Sequence, residues 1–123
     1  MFEIYREYTF AAAHQLLNYN GKCERLHGHN WKVGVTITGE GLDKAGMLLD
    51  FHELDAMIKK SVDCFDHRNL NEVESFIGKS PSSEALAKII FEDIALQLKD
   101  IPTVLVKYCD VWENERSRAR YYK

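Results

Sequence analysis

Four segments of the chain have the residue pattern of β-strands. The first runs from Glu3 to Ala13, is rich in Tyr, Phe and Thr, and has His14 at its end. The second runs from about His29 to Gly39, with polar and apolar positions alternating. The third covers residues 103–113 and is interrupted near its middle, which predicts a bulge, and the fourth covers residues 117–122 after a tight turn.

Two further segments carry apolar residues at helical spacing. The first helix is predicted to begin after Asp50, a good N-cap residue, and to end near Asp63. The second is predicted to begin near Ser82 or Ser83 and to run through Leu98. The resulting order is strand, strand, helix, helix, strand, strand. This order favours an α+β fold, in which both helices cover one face of an antiparallel sheet.

Composition narrows the class of protein. A chain of 123 residues predicts one domain over residues 1–123. The net charge of −3 and the pI near 5.9 argue against a general nucleic-acid-binding protein. No apolar run reaches the roughly 20 residues of a membrane span, and the N-terminus lacks a signal-peptide pattern. We therefore expect a cytoplasmic protein with no membrane partner. We also expect a homo-oligomer, because so small a domain leaves much of its surface exposed.

The three cysteines are too far apart in sequence for a CxxC pair, which favours reduced thiols over a disulfide framework. Cys64 follows an amphipathic helix and Cys109 lies in a strand, so both are expected in the core.

Three histidines are the main candidates for chemistry. His27 and His29 stand at the start of the second strand and point to one face of the sheet if the strand begins there. With His14 at the end of the first strand, they would form a three-imidazole site for Zn²⁺ that keeps a coordination position open for substrate. Histidines in an ordinary loop-to-strand junction are the weaker alternative. A structural zinc is disfavoured because the sequence has no CxxC pair.

Cys23 lies four residues before His27 in a polar segment, where Lys22, Arg25 and a nearby metal would each favour the thiolate. An inert buried thiol and a fourth metal ligand are the alternatives for this residue. The segment is polar and turn-like, and a loop separates Cys23 from His27. Both features favour a reactive role over the two alternatives.

Asp66 and His67 are adjacent in a polar loop. On the residues alone a solvated turn is the simpler reading. A function would require His67 to meet another reactive group while Asp66 fixes its tautomer. Glu113 reads as an exposed strand residue unless a ligand with paired donors, such as the amidine edge of a heterocycle, compensates its burial. Glu84 reads as an acid favoured by the helix dipole.

Several motifs in this order resemble the 6-pyruvoyltetrahydropterin synthase superfamily, most closely its bacterial 6-carboxytetrahydropterin synthase branch of the queuosine pathway. These motifs are FAAAH at residues 10–14, CxxxHGH at 23–29, LDFHEL at 49–54, FDHRNLN at 65–71, PSSEALA at 81–87 and VWE at 111–113. The resemblance spans nearly the whole chain.

The resemblance implies the tunnelling fold, a four-stranded antiparallel sheet with two helices on one face. Subunits of that fold join their sheets into a barrel, as a trimer or a stacked hexamer. His14, His27 and His29 match its zinc ligands. Cys23, Asp66 and His67 match its catalytic triad, in which the cysteine and the Asp-His pair come from different subunits. Glu113 matches the pterin anchor, and Ser82, Ser83 and Glu84 match a segment that lines the pterin pocket.

The implied reaction converts 7,8-dihydroneopterin triphosphate to 6-carboxy-5,6,7,8-tetrahydropterin, acetaldehyde and triphosphate. Elimination to the 6-pyruvoyl product is one alternative. Side-chain cleavage for folate synthesis is another, because Glu24 directly follows Cys23 and some relatives use a glutamate in this loop. Asn114 stands where many relatives have Thr. The alternative outside the enzymes is a module that binds zinc or a pterin without catalysing a reaction.

Overall fold

The computed structural model describes residues 1–21 and 24–123. Its sheet has the order β3-β1-β2-β4-β5, and two 3₁₀ turns follow β3. In chain order the elements are β1 (Phe2–His14), β2 (His27–Gly39), α1 (Phe51–Val62), β3 (Arg68–Asn69), the 3₁₀ turns (Leu70–Glu72 and Glu74–Phe76), α2 (Ser83–Gln97), β4 (Val104–Asn114) and β5 (Ser117–Tyr121).

The α+β class with two helices is confirmed, but the four-strand count is wrong. A fifth strand, β3, pairs in parallel with β1 through only two residues, Ala12 with Arg68 and Ala13 with Asn69. The other pairings are antiparallel, and β4 shifts register by one residue opposite the step from Thr36 to Ile37, at the predicted bulge. The polar composition of the segment that contains β3 hid it, because its pairing depends on tertiary contact with β1 rather than on strand propensity.

The helix α1 begins after the predicted cap, Asp50, and α2 begins at the pair predicted for its start, Ser82 and Ser83. The Asp50 carboxylate accepts a hydrogen bond from the backbone N–H of His52, and the Ser82 hydroxyl accepts one from Ala85. Each side chain satisfies a backbone donor that the first turn of a helix leaves free. Ser82 is therefore the N-cap of α2, and Ser83 is its first residue.

The core lies on the face of the sheet that carries both helices. Phe10 pairs in register with Trp31, and Val33 pairs with Val111, and all four side chains are buried. They pack with the buried helix residues Leu54, Ile58, Leu86, Ile90 and Ile94. Side chains of a strand alternate between the two faces, so every second residue of β1, β2 and β4 points to this face. The set includes residues at the ends of β1 and β4 and at the start of β2, which lie beyond the hydrophobic core.

The opposite face of the sheet carries charged and aromatic side chains. The buried Asp110 carboxylate accepts two hydrogen bonds from the Arg120 guanidinium, at 2.8 and 3.0 Å. The ammonium of Lys32 lies 4.1 Å from the centre of the Trp112 ring. In the part of the chain that the structure describes, no helix is both long enough and apolar enough to cross a membrane.

The two cysteines expected in the core differ in burial. Cys109 is fully buried, as predicted, whereas Cys64 is exposed. The prediction for Cys64 is wrong because α1 ends at Val62 and the neighbouring Phe65 takes the buried position.

Candidate metal centre and active site

The three predicted zinc ligands meet at one end of the sheet. β1 ends and β2 begins at this point, so that His14 pairs in register with His27, and Ala12 pairs with His29. The centres of the three imidazole rings lie 4.6–5.2 Å apart. Trp31 packs edge-on against two of them, His14 and His29. The start of β2 at His27 is what gives both of its histidines the same face.

Backbone carbonyls set the tautomers of two of these rings. His14 Nδ1 lies 2.8 Å from the Pro81 oxygen, and His27 Nδ1 lies 2.7 Å from the Arg25 oxygen. A carbonyl oxygen can only accept a hydrogen bond, so Nδ1 is the protonated nitrogen in each neutral ring. Each Nε2 then carries a free lone pair, and the two Nε2 atoms are 3.1 Å apart. Metal-binding histidines commonly donate the proton of one ring nitrogen to a carbonyl in this way, which turns the other nitrogen toward the metal.

Glu113 completes the cluster. Its Oε1 atom lies 2.9 Å from His29 Nε2, 3.2 Å from His14 Nε2 and 3.9 Å from His27 Nε2. The four donor atoms all lie within 4.8 Å of one another, as a metal site requires. Imidazole nitrogen with one carboxylate oxygen is a donor set that suits Zn²⁺.

His29 gives a further test of whether a cation fits. Its Nε2 atom is buried and makes no aligned hydrogen bond, although Glu113 is near. Burial lowers the pKa of His29, and the two neighbouring histidines lower it further, against the opposing effect of Glu113. The ring therefore stays neutral near pH 7, and among the described residues its buried Nε2 atom has no hydrogen-bond partner. A divalent cation bound in the cluster would give this nitrogen a partner.

The residues that the resemblance assigns to pterin binding line a single cavity. This cavity has a volume of about 230 Å³, and its lining includes Ser82, Ser83, Glu84, Glu113 and His14. The start of α2 therefore faces the end of β4 across the cavity. His14, a candidate metal ligand, also lies in the cavity wall. The roles of these residues in binding remain a prediction.

Asp66 and His67 lie at the edge of β1. Asp66 Oδ1 accepts a hydrogen bond from the Ala11 N–H at 3.0 Å and lies 2.9 Å from His67 Nδ1. The His67 side chain is 82 % exposed and, with His29, lines a cleft of about 450 Å³. The structure thus makes the Asp-His pair that the sequence suggested. Cys23 and Lys22 lie outside the described residues.

Comparison with known proteins decides the family. The family model for 6-pyruvoyl tetrahydropterin synthase matches residues 3–123. The chain belongs to this family. A 6-carboxy-5,6,7,8-tetrahydropterin synthase of Synechocystis is 37 % identical, with 99 % of this chain and 94 % of that protein covered. The enzyme of the same name from Haemophilus influenzae is 32 % identical, with 98 % and 99 % covered.

Solved structures agree in fold with this member of the 6-pyruvoyl tetrahydropterin synthase family. The Caenorhabditis elegans 6-pyruvoyl tetrahydropterin synthase superposes with a TM-score of 0.81 at 24 % identity, covering 99 % of this chain and 95 % of that one. At that identity the likeness supports the fold alone. The resemblance read from the sequence motifs is confirmed by the family match.

Sequence reasoning missed several supports of the site in this family member. The Asn71 side chain accepts a hydrogen bond from the Gln15 N–H at 2.8 Å and donates one to the Gln15 oxygen at 2.9 Å, directly after His14. The polar run that ends at Asn71 was a signal for this contact. The carbonyls of Pro81 and Arg25 gave no signal, because every residue has a carbonyl.

Proposed function

We propose that this protein is a zinc-dependent lyase that converts 7,8-dihydroneopterin triphosphate to 6-carboxy-5,6,7,8-tetrahydropterin, acetaldehyde and triphosphate in queuosine biosynthesis. The observation that carries the proposal is the convergence of three imidazole Nε2 atoms beside the cavity that Glu113 and the start of α2 line. The names of the Synechocystis and Haemophilus relatives support the choice of reaction.

His14, His27 and His29 hold the zinc in this proposal. When bound, zinc supplies Lewis acidity toward the hydroxyl groups of the substrate side chain. The Pro81 and Arg25 carbonyls keep Nδ1 protonated in two of the rings, so that Nε2 faces the centre. The Trp31 ring restricts how far His14 and His29 can turn. The protein thus holds its ligands in position before the metal arrives.

Glu113 anchors the pterin ring in this proposal. An ionised carboxylate accepts two hydrogen bonds, which matches the paired N–H donors on the aminopyrimidinone edge. Ser82, Ser83 and Glu84 line the same cavity and close its other side. Since His14 also lines this cavity, a ring held there places its side chain next to the histidine cluster.

Asp66 and His67 move protons together with Cys23. Asp66 accepts the Nδ1 proton of His67, which leaves His67 Nε2 free to take or give a proton. The substrate side chain has three carbons. The first stays on the ring as the carboxylate, the other two leave as acetaldehyde, and the phosphate ester oxygen leaves with triphosphate. One water molecule must supply the second carboxylate oxygen. Such a sequence needs several proton transfers, which is the role we assign to the thiol and the imidazole.

The site is completed in a cytoplasmic homo-oligomer. This oligomer is a trimer, or a hexamer of two trimers, in which the sheets of the subunits join into a barrel. The exposure of the His67 side chain supports this arrangement, because a general base normally works in a site that excludes water. In the proposed assembly, Cys23 of one subunit meets Asp66 and His67 of its neighbour.

Side-chain cleavage to a hydroxymethylpterin and glycolaldehyde is the second candidate. Glu24 favours it, since its Oε1 atom lies 3.7 Å from His27 Nδ1, near the metal centre. The same oxygen lies 3.4 Å from the Leu16 N–H, and the Glu24 N–H donates to the Leu16 oxygen at 2.9 Å. These contacts also give Glu24 a structural role that accounts for its position.

Substitution of the thiol tests the proposed function. Cys23→Ala should keep its zinc, measured by elemental analysis, and lose turnover of dihydroneopterin triphosphate. Cys64→Ala is the matched control, because Cys64 is exposed at the end of α1, and it should retain both. Full turnover by Cys23→Ala would rule out the role assigned to Cys23, and pterin binding without any product from zinc-loaded protein would favour a binding module.

A further inference from the structure

We propose that Glu113 is the fourth ligand of the bound metal in the pterin-free protein and that it leaves the metal when a pterin binds. This inference rests on the proposed function for its second half only. The Glu113 carboxylate would bind the metal and the pterin in turn, and the two would compete for it.

The distances place Glu113 at the position of a ligand. In a tetrahedral site with zinc–ligand bonds of about 2.0–2.1 Å, neighbouring donor atoms lie about 3.3–3.4 Å apart. The Nε2 atoms of His14 and His27 are 3.1 Å apart. Glu113 Oε1 is 2.9, 3.2 and 3.9 Å from the Nε2 atoms of His29, His14 and His27. These four separations lie close to that value, and all four donor atoms lie within 4.8 Å of one another, so the carboxylate oxygen lies where a fourth ligand would bind.

Charge favours the same assignment. Three neutral imidazoles leave the full double charge of a bound cation in place, and a partly buried charge is costly without a counter-ion. The Glu113 carboxylate halves that charge at direct contact distance. Glu24 is another acid near the cluster, but its oxygen lies beside His27 Nδ1, on the side of the ring that points to Arg25 and away from the centre.

The Glu113 side chain also has access to a second binding partner, in the neighbouring cavity. It is 30 % exposed and lines the cavity that runs to Ser82, Ser83 and Glu84. A pterin edge in that cavity would offer two donors to the carboxylate and draw both of its oxygens from the metal. Movement of Glu113 away from the histidine cluster would leave a coordination position free beside the cavity, where the substrate side chain would lie. Without a pterin, Glu113 would fill that position.

The first experiment uses the pterin-free full-length protein with Co²⁺ as the probe, because the visible absorption of Co²⁺ reports the number of its ligands. Wild type is compared with Glu113→Gln and with Glu40→Gln, an exposed glutamate beyond the far end of β2. Glu113→Gln should change the Co²⁺ spectrum and weaken Zn²⁺ binding. Loss of a residue that only hydrogen-bonds to a metal ligand weakens binding by roughly 10- to 100-fold, and loss of a ligand should cost at least as much. Glu40→Gln should match wild type in both. An unchanged spectrum and affinity in a folded Glu113→Gln protein would overturn the proposal.

The second experiment needs no variant. Neopterin, an oxidised pterin without the triphosphate, is added to wild-type Co²⁺ protein, and binding is followed separately by quenching of pterin fluorescence. The Co²⁺ spectrum should change with the same midpoint as the quenching. Quenching without a spectral change would overturn the exchange. If neopterin and dihydroneopterin triphosphate both fail to bind, the proposed function and the exchange fail together, while the Glu113→Gln result still decides whether Glu113 is a ligand.

Discussion

His14 and His27 present the unprotonated Nε2 atoms of their rings to each other across 3.1 Å. Neither atom can donate a hydrogen bond, because a backbone carbonyl holds the proton of each ring on Nδ1. Two lone pairs at this distance repel each other unless a cation lies between them. The Glu113 carboxylate, 3.2 Å from His14 Nε2, is a counter-charge for that cation. A metal bound here would therefore help to stabilise this end of the sheet.

Removal of one imidazole should release the metal. His27→Ala is expected to lose its zinc in elemental analysis, whereas His52→Ala, an exposed histidine on α1, should retain it. Free zinc at 100 times its dissociation constant should stabilise the wild type by about 2.7 kcal/mol. A chelator should accordingly lower the Tm of wild type and leave that of His27→Ala unchanged. Equal zinc content in the two variants would contradict the assignment.

Loss of the Asp66 charge should lower turnover without loss of the fold. Asp66→Asn can still accept the hydrogen bond from the Ala11 N–H, but it no longer stabilises a protonated His67. A general acid-base group contributes about 10²- to 10⁴-fold to rate, and a fall in kcat within this range is expected. Asp63→Asn, an exposed carboxylate paired with Lys59, is the control and should retain full activity. A kcat for Asp66→Asn near that of wild type would exclude the proposed pair.

Asn71 should act on the metal through the end of β1. Asn71→Ala leaves the N–H and the carbonyl of Gln15 without partners, which should cost about 1–3 kcal/mol in unfolding free energy. Because Gln15 follows His14 directly, zinc affinity should also fall, by roughly 10- to 100-fold. Asn71→Asp keeps the acceptor for the Gln15 N–H and should lose less of both. A destabilised Asn71→Ala protein with wild-type zinc affinity would confine Asn71 to a structural role.

The histidine cluster could be predicted from the sequence because the positions of its residues follow from local patterns along the chain. A strand repeats with period two, so His27 and His29 had to share a face once β2 began there. The N-cap Asp50 followed from the capping preference of Asp, while the choice between Ser82 and Ser83 needed the structure. The position of Glu113 within the cluster was not predictable, because it depends on the register of β4 against β2.

The features that the sequence did not reveal depend on tertiary contacts. The two-residue strand β3 forms because the His67 N–H donates to the Ala11 oxygen, a pairing that residue preference does not encode. The carbonyl partners of His14 and His27 are backbone atoms, and no residue type marks them. Cys64 and Phe65 both follow α1 closely, and only the packed structure shows that Phe65, not Cys64, takes the buried position.

Cys109 should make stability depend on alkaline pH. Burial raises the pKa of this thiol from 9.0 to about 12, and the charge of the neighbouring Asp110 adds to the effect. Above pH 9 the unfolded chain therefore releases the thiol proton while the folded protein keeps it, and stability falls as pH rises toward 12. The slope should approach about 1.4 kcal/mol per pH unit.

Cys109→Ala lacks this contribution. The difference in unfolding free energy between wild type and Cys109→Ala should thus shrink from pH 9 upward, as measured by urea denaturation at equal metal content. Parallel pH dependence in the two proteins would show that the thiol does not remain protonated in the fold.

The most direct test of the central claim is mass spectrometry of the products from zinc-loaded protein and 7,8-dihydroneopterin triphosphate. We predict 6-carboxytetrahydropterin, acetaldehyde and triphosphate in equal amounts. A pterin that keeps all three side-chain carbons as a diketone, or a hydroxymethylpterin with a glycolaldehyde that still carries the triphosphate, would contradict the proposed reaction. The absence of any product from fully metallated protein would contradict the assignment of an active site.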